Sequence, residues 1–409
     1  MGLSKILFII TILVSTRLLC FIPYQLSGLG NMVELATIIL LLLFLLFSNS
    51  INIGKTIFGK EILLLLFLTS VSAISCNIYH NQSFIDSFIA SKNILFILVY
   101  FILLQSRIGY KSINGIIFSF GVAATLIYII QQVAYPQIYW FDTPNSNISE
   151  VEIRNGFYRF RLFLNNQYII YSLLLSFVAA VEEKLLRKWL YVFFFLVGIY
   201  LTLTRQTWFC IVVAIFMYPM VNGVRVSLKK ILSITLGICI AYVVYENLSS
   251  IIGDELITAT SYQFTNEDDV RWLAYKFYAF DYWTDIFNML FGNGYPLLGK
   301  SKYGLEILSI EQNYHLYRSD IGIVGLLNTN GFLYLIVFLY IYYKIFRHFQ
   351  ELSNPLKLYI LCTVINLPLG TLNSQPLFWG IIMFMIDNEI RYKKLSECGR
   401  ISFTNFIYK

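Results

Sequence analysis

The chain has 409 residues, a net charge of +7, 58% hydrophobic residues and only 13% charged residues. A soluble domain carries about 25% charged residues and a disordered chain has few hydrophobic ones, so both classes are excluded. The composition predicts an all-α, polytopic helical membrane protein.

Twelve apolar windows of helical length follow one another, and we predict a transmembrane helix for each within a single membrane domain over residues 1–409. The windows are about 5–22, 32–48, 61–76, 92–106, 113–134, 167–181, 188–204, 206–222, 230–247, 320–343, 357–373 and 376–390. The first window lacks a small-residue cleavage site, so we interpret it as a span and not as a secretory signal.

The basic residues orient these spans. Of the 30 Lys and Arg residues, 19 fall on the side that carries both termini and 11 on the other. Because cytoplasmic loops carry the excess of basic residues, we predict that both termini are cytoplasmic. The positive net charge is therefore an orientation signal, and we expect no nucleic-acid partner. The two sizeable external segments are a first periplasmic loop at 135–166 and a long periplasmic loop at about 248–319.

The fourth external connection is the shortest. The apolar run from Trp189 to Val221 would be roughly 50 Å long as one helix, against a hydrocarbon core of about 30 Å. We therefore predict a tight turn within LTLTRQTWFC, which places Arg205 at the external face.

The long loop contains a predicted amphipathic helix over residues 271–290. Aromatic residues recur there at helical spacing from Trp272, which is typical of a helix in the membrane interface. The acidic stretch at Glu267 is interpreted as a solvated turn, because no histidine or further carboxylate completes a metal-ligand set. The chain also lacks a phosphate-binding glycine loop and a nucleophile elbow.

Five external arginines are candidates for binding a pyrophosphate. Guanidinium groups bind phosphate oxygens in bidentate fashion and stay protonated, although interfacial arginines also reach toward lipid headgroups without any further role. The candidates are Arg159, Arg161, Arg205, Arg271 and Arg318.

A second candidate group precedes the tenth predicted span. Asp320 and His315 are candidates for removing a proton from a hydroxyl, because a carboxylate or an imidazole at the membrane face suits that role. The alternative for Asp320 is an ordinary helix N-terminus, with Ser319 as the capping residue.

Over roughly residues 155–345 the chain resembles the O-antigen polymerase and ligase superfamily of bacterial inner membranes. Thr204 and Arg205 match the Ser/Thr-Arg pair between two mid-chain spans of that family. An arginine opening a Trp-bearing helix that ends in Gly-x-Gly is matched by Arg271, Trp272, Gly292 and Gly294. The Ser-Asp-aliphatic-Gly stretch of the polymerases is similar to the run from Ser319 to Gly322.

The resemblance implies a polymerase of undecaprenyl-pyrophosphate-linked oligosaccharide units, for O-antigen, capsule or exopolysaccharide. It implies lipid-linked donor and acceptor glycans in a multi-pass inner-membrane protein that needs no cofactor and no metal, and a chain-length regulator is a further partner that it allows. One alternative is an O-antigen ligase with a lipid A-core acceptor, but Glu311 and Gln312 stand where ligases carry His-Asn. The other is a lipid-linked oligosaccharide flippase, for which midplane charges and pseudo-symmetric halves are expected.

Overall fold

The computed structural model describes residues 3–16, 27–47, 53–106, 108–137, 139–140, 153–154, 157–158, 166–222, 270–368 and 375–397. In these ranges the chain forms sixteen α-helices. They are α1 (Leu3–Ser15), α2 (Ser27–Phe47), α3 (Gly59–His80), α4 (Phe84–Ser91), α5 (Val99–Gln105), α6 (Tyr110–Ala134), α7 (Asn166–Glu183), α8 (Leu186–Leu201), α9 (Arg205–Phe216), α10 (Tyr218–Val221), α11 (Val270–Lys276), α12 (Ile286–Phe291), α13 (Lys302–Tyr314), α14 (Gly322–Arg347), α15 (Asn354–Asn366) and α16 (Pro376–Glu397).

Short elements of other types join them. Helical turns of 3-10 type cover Ile53–Lys55, Lys92–Leu98, Arg318–Ile321 and Phe349–Glu351, and a π-helical segment covers Phe277–Asp281. The strands β1 (Ile153–Arg154) and β2 (Phe157–Tyr158) pair as an antiparallel ribbon within the predicted first periplasmic loop. The described fold is helical, as the composition predicts.

Five helical stretches of the described ranges are long and apolar enough to cross a membrane. They are Gly28–Phe47, Gly59–His80, Phe84–Gln105, Tyr110–Ala134 and Arg318–Arg347. Large apolar side chains such as Leu46, Phe47 and Phe193 are exposed on the outer faces of helices. A hydrocarbon environment accommodates such faces, so the length, composition and surface of these helices support a helical membrane protein.

Some boundaries differ from the predicted windows. The window at 92–106 begins earlier, at Phe84, because Ser83 caps α4 by accepting a hydrogen bond from the Asp86 amide. The window at 357–373 overlaps α15, which begins earlier, at Asn354, and ends at Asn366. The window at 230–247 lies outside the described residues.

The predicted continuous helix over 271–290 is found in two pieces. Helix α11 runs into the π-helical segment, the regular structure ends at Asp281, and α12 begins only at Ile286. The restart has a local cause, since the Asp285 carboxylate accepts a hydrogen bond of 2.8 Å from the Asn288 amide and so caps α12. Tyr278 between the two pieces is fully buried, so this aromatic side chain packs into the protein and not into headgroups.

Small residues let α6, α7 and α8 approach closely. A Cβ atom on Gly121 of α6 would lie 2.8 Å from the Tyr168 carbonyl oxygen of α7, and one on Gly198 of α8 would lie 2.6 Å from the Thr125 hydroxyl of α6. Close backbone approach at small residues is how membrane helices gain packing contacts without a hydrophobic driving force.

Helix α14 is interrupted at Gly331, whose φ of 84° and ψ of 172° are not helical. The turn from Gly292 to Gly294 fills the interruption. The amide of Asn293 donates to the Asn328 carbonyl oxygen at 2.9 Å, and the amide of Gly294 donates to that of Thr329 at 2.8 Å. Backbone groups that the break would leave unpaired are therefore satisfied by another part of the same chain, as an apolar environment requires.

Buried and partly buried ion pairs join the helices. Lys92 lies 2.7 Å from Glu34, with side chains only 6% and 5% exposed, and Lys344 lies 2.6 Å from Glu61. Asp387 of α16 is fully buried and accepts hydrogen bonds from Arg391, from the Tyr100 hydroxyl and from the Ile57 amide. Charges inside a membrane protein are tolerated when they face a partner in this way.

Candidate functional site

The turn predicted near Arg205 lies at Thr202–Thr204. Helix α8 ends at Leu201, Leu203 adopts a positive φ of 49°, and α9 begins at Arg205. The hydroxyl groups of Thr202 and Thr204 are hydrogen-bonded at 2.8 Å, which closes the turn. Arg205 is thus the first residue of a helix that starts at the end of a hairpin.

A second turn, Asn366–Pro368 after α15, holds the start of α9. The Gln206 amide donates to the Asn366 side-chain oxygen at 2.5 Å. The same turn contacts the start of α14, because the Ile323 amide donates to the Leu367 carbonyl oxygen at 2.9 Å. Gly322 permits this approach, since a Cβ atom there would lie 2.2 Å from that carbonyl oxygen.

Helix α11 reaches this turn as well, through the Tyr275 hydroxyl, which donates a hydrogen bond to the Pro368 carbonyl oxygen. Arg271 lies one helical turn before Tyr275 and therefore on the same side of α11. Helices α9 and α11, which carry Arg205 and Arg271, and the start of α14, which directly follows the turn with Asp320, all meet the Asn366–Pro368 turn. Three residues that the sequence singles out, far apart along the chain, are brought to one end of the helix bundle.

Arg318 belongs to this end but is only 8% exposed. Its Nη1 donates to the Tyr303 hydroxyl at 3.0 Å and to the Asn328 side-chain oxygen at 3.3 Å, and within the described residues it forms no salt bridge. Burial raises the pKa of the Tyr303 hydroxyl to about 12, and the positive charge of Arg318 opposes that rise. Arg318 therefore links α13 to α14 from inside the protein.

The two predicted proton acceptors are exposed. His315 follows α13 in a left-handed conformation with a φ of 56°, and its side chain faces outward. Asp320 lies in the 3-10 turn before α14, where its carboxylate accepts a hydrogen bond of 3.1 Å from the Ser319 hydroxyl. Ser319 does not cap α14, which begins at Gly322 after that turn.

Sequence reasoning missed His80, the last residue of α3. Its ring stacks on Tyr303 at a centroid distance of 4.0 Å and on Tyr282 at 5.9 Å. Its Nε2 lies 2.8 Å from the Asn293 side-chain oxygen, and its Nδ1 lies 3.9 Å from Glu306. His80 lies in a short polar stretch, CNIYHNQS, that follows an apolar window, and no spacing pattern distinguishes it from an ordinary loop residue.

Glu306 completes this cluster. It accepts a hydrogen bond of 2.6 Å from the Tyr282 hydroxyl and is 47% exposed, whereas the His80 side chain is 9% exposed. Burial raises the pKa of Tyr282, and the neighbouring Glu306 carboxylate contributes to the rise. A further carboxyl group, Glu311, is half-buried. Burial raises its pKa, and the positive charge of Arg318 only partly opposes that rise.

Of the remaining candidate arginines, two lie outside the described residues and one lies within them. Arg159 and Arg161, like the acidic stretch at Glu267, lie outside the described residues. Arg271 is half-buried, and its neighbour Trp272 is 52% exposed. The described ranges contain no group of three or more His, Cys, Asp or Glu side chains arranged to hold a metal ion.

A cavity of about 530 Å³ lies at the other end of the bundle, on the side predicted to be cytoplasmic. Its carboxylates already have partners. Glu389 accepts a hydrogen bond of 2.7 Å from the Ser353 amide, and Glu351 lies 2.8 Å from His348. The cavity is separate from the elements that meet at the Asn366–Pro368 turn.

No protein-family model matches the chain, and a search of curated proteins finds none that is similar.

Proposed function

We propose that the protein polymerises undecaprenyl-pyrophosphate-linked oligosaccharide units, transferring the glycan from one lipid pyrophosphate to a hydroxyl group of a second lipid-linked unit. The supporting observation is that α9, α11 and the start of α14 all contact the Asn366–Pro368 turn, which brings together the chain segments that carry Arg205, Arg271 and Asp320. These are the positions at which the sequence resembles the polymerases. Their common location at one end of a membrane bundle suits a reaction on a lipid headgroup.

The chemistry needs cations at the leaving group. When the anomeric carbon–oxygen bond breaks, the bonding electron pair leaves with the lipid pyrophosphate, whose negative charge grows in the transition state. Preorganised positive groups stabilise such charge more than any other single effect. Arg205 and Arg271 are proposed to bind the pyrophosphate, because a guanidinium forms paired, charge-assisted hydrogen bonds with phosphate oxygens.

The proposal includes an orientation. Twelve spans with both termini in the cytoplasm, in a bacterial inner membrane, place the Asn366–Pro368 turn on the periplasmic side. The loop-charge asymmetry and the five long apolar helices support this arrangement.

The broken helix α14 gives the flippase alternative its strongest argument. Transporters bind substrate at interrupted helices near the membrane midplane. Here, however, the interruption at Gly331 is filled by the Gly292–Gly294 turn, and a Cβ atom on Gly331 would lie 2.3 Å from the Leu290 carbonyl oxygen. Because the Gly292–Gly294 turn occupies the interruption, a glycan has no room to bind there, and this favours a polymerase over a flippase.

Deleting the gene in the producing cell tests the function. A polymerase deletion leaves single repeat units on the lipid at the periplasmic face, and the ladder of long surface chains disappears. Long chains that stay on the lipid would instead identify a ligase. Single units confined to the cytoplasmic face would identify a flippase, and an unchanged ladder would remove all three assignments.

A further inference from the structure

The protonation of the His80 ring follows from its hydrogen-bonding partner. The Asn293 Nδ2 donates to the carbonyl oxygens of Tyr282, at 3.2 Å, and Asn328, at 3.3 Å. The opposite amide orientation would set an oxygen against two carbonyl oxygens, so Oδ1 must be the atom that faces His80. Because Oδ1 only accepts, His80 Nε2 carries the hydrogen and Nδ1 is the basic nitrogen of the neutral ring.

Two acceptors therefore face each other. His80 Nδ1 and Glu306 Oε2 lie 3.9 Å apart, which is too far for a direct hydrogen bond. The other carboxylate oxygen, Oε1, is already occupied by the Tyr282 hydroxyl. A water molecule has two hydrogens and can bridge two acceptors, whereas a sugar hydroxyl group has one hydrogen, which it can donate to Nδ1. The half-exposed Glu306 opens the gap to the outside, while the buried His80 forms its inner wall.

The surrounding residues fix the ring in place. His80 is held between Tyr303 and Tyr282, and Asn293 fixes its rotation. The charged groups that face it are Glu306 from α13 and, behind the Tyr303 hydroxyl, Arg318 from the 3-10 turn. The positive charge of Arg318 favours the neutral ring, whereas Glu306 stabilises an imidazolium once it has formed. A general base needs a fixed ring, a free nitrogen and a partner for its charged form, and His80 has all three.

We propose that the acceptor sugar binds with its reacting hydroxyl donating a hydrogen bond to His80 Nδ1, beside Glu306, and that His80 is the base for the transfer. This inference rests on the proposed polymerase function. The hydroxyl proton moves to Nδ1 as the oxygen forms a bond to the anomeric carbon of the donor. The bond from that carbon to the pyrophosphate oxygen breaks, and the pyrophosphate leaves with the electron pair. The imidazolium, paired with Glu306, then returns the proton to water.

The test uses the full-length protein in liposomes with a lipid-linked repeat unit, and measures polymer formation against pH. Burial lowers the pKa of His80 below that of an ordinary imidazole, so the wild-type rate should fall only at a pH below that ordinary value. His80→Gln keeps an amide donor for Asn293 but lacks a base, so its maximal rate should fall about 100-fold or more with little change in KM. Its residual rate should not depend on pH in this range.

A matched control is His348→Gln at the other end of the bundle, which should leave the rate within about twofold. Glu306→Gln is the second variant, and because the Glu306 side chain is half-exposed, we expect this variant to fold. Without the carboxylate the imidazolium is less stable, so the acidic limb should move to lower pH by about one unit. An unchanged limb in this variant, or a fully active His80→Gln protein, would overturn the proposal and leave water as the occupant of the gap.

The outcomes distinguish a failure of the proposed role of His80 from a failure of the proposed polymerase function. If the wild type polymerises and Arg205→Ala is inactive while His80→Gln is active, the function stands and the base is elsewhere. If the wild-type protein does not polymerise lipid-linked units at all, the proposed function itself fails.

Discussion

The Gln206 side chain donates a hydrogen bond of 2.5 Å to Asn366, and this contact ties the start of α9, next to Arg205, to the turn after α15. Cys210, one helical turn further along α9, lies 3.7 Å from the same Asn366 oxygen. The position of the Arg205 backbone therefore depends on a side chain that is distant in sequence.

This relationship gives the first prediction. Asn366→Leu removes the acceptor and leaves the Gln206 amide unpaired, which should lower the free energy of unfolding by about 1–3 kcal/mol. The start of α9 should also move, so polymer formation should fall more than the amount of folded protein does. Thermal unfolding in detergent and polymer length, measured on the same preparation, check this. Activity that simply follows protein amount would show that the contact does not position Arg205.

The second prediction concerns the plug in α14. Gly292 has a φ of 86°, and a Cβ atom there would lie 2.4 Å from the Thr329 carbonyl oxygen. Gly292→Ala should therefore push the turn out of the break and cost more than the roughly 1 kcal/mol expected from backbone strain alone.

Gly299→Ala is the matched control for that variant, because Gly299 also has a positive φ, 70°, but no atom lies within 4 Å of its added Cβ position. Midpoints of heat-induced aggregation compare the two. Equal losses of stability in both variants would show that strain, and not the close approach to α14, sets the cost.

The third prediction concerns the buried pair of Glu34 and Lys92. Lys92→Met removes the Lys92 ammonium group from the buried Glu34 carboxylate, and breaking a buried pair in this way costs about 3–5 kcal/mol. The double variant with Glu34→Leu should recover most of that loss, since a buried pair can be replaced by apolar residues.

The more exposed pair of Lys188 and Glu183, 3.7 Å apart with side chains 28% and 48% exposed, is the comparison. Lys188→Met should change the unfolding free energy by no more than about 1 kcal/mol. Thermal unfolding of the wild type, Lys92→Met, the double variant and Lys188→Met measures these differences. A double variant as unstable as Lys92→Met would contradict the prediction.

The fourth prediction separates Asp320 from His80. The Asp320 carboxylate is exposed and has Ser319 as its hydrogen-bonding partner, so an account with His80 as base expects Asp320→Asn to keep the wild-type rate within about twofold. The measurement is the initial rate of polymer formation across pH. A loss of about 100-fold with a changed pH profile would return the role of base to Asp320.

Length and hydropathy predicted much of this architecture but little of the His80 cluster. The turn before Arg205 follows from helix rise and membrane thickness, because Trp189–Val221 is too long for one crossing. The partition of 271–290 into two helices was not predictable from periodicity, since the aromatic spacing continues through Tyr282 while Asp285 restarts the helix.

The position of His80 explains why sequence analysis did not identify this cluster. Its partners Asn293, Tyr303 and Glu306 follow it by more than 200 residues, and each is polar or aromatic in a way that loops commonly are. The packing of the Gly292–Gly294 turn into the break at Gly331 and the hydrogen bonds of Gln82 to Tyr295, Leu297 and Ser301 bring them together. That packing is a tertiary event, and no local pattern in a single sequence encodes it.

The most direct measurement compares Arg205→Ala with Arg187→Ala in the liposome assay. Arg187 is an exposed arginine near the start of α8, at the opposite end of that helix and on the side predicted to be cytoplasmic. If Arg205 stabilises the departing pyrophosphate, Arg205→Ala should lower the rate of polymer formation by about 100-fold to 1,000-fold, with Arg187→Ala close to wild type. Equal rates for the two variants and the wild type would contradict the account.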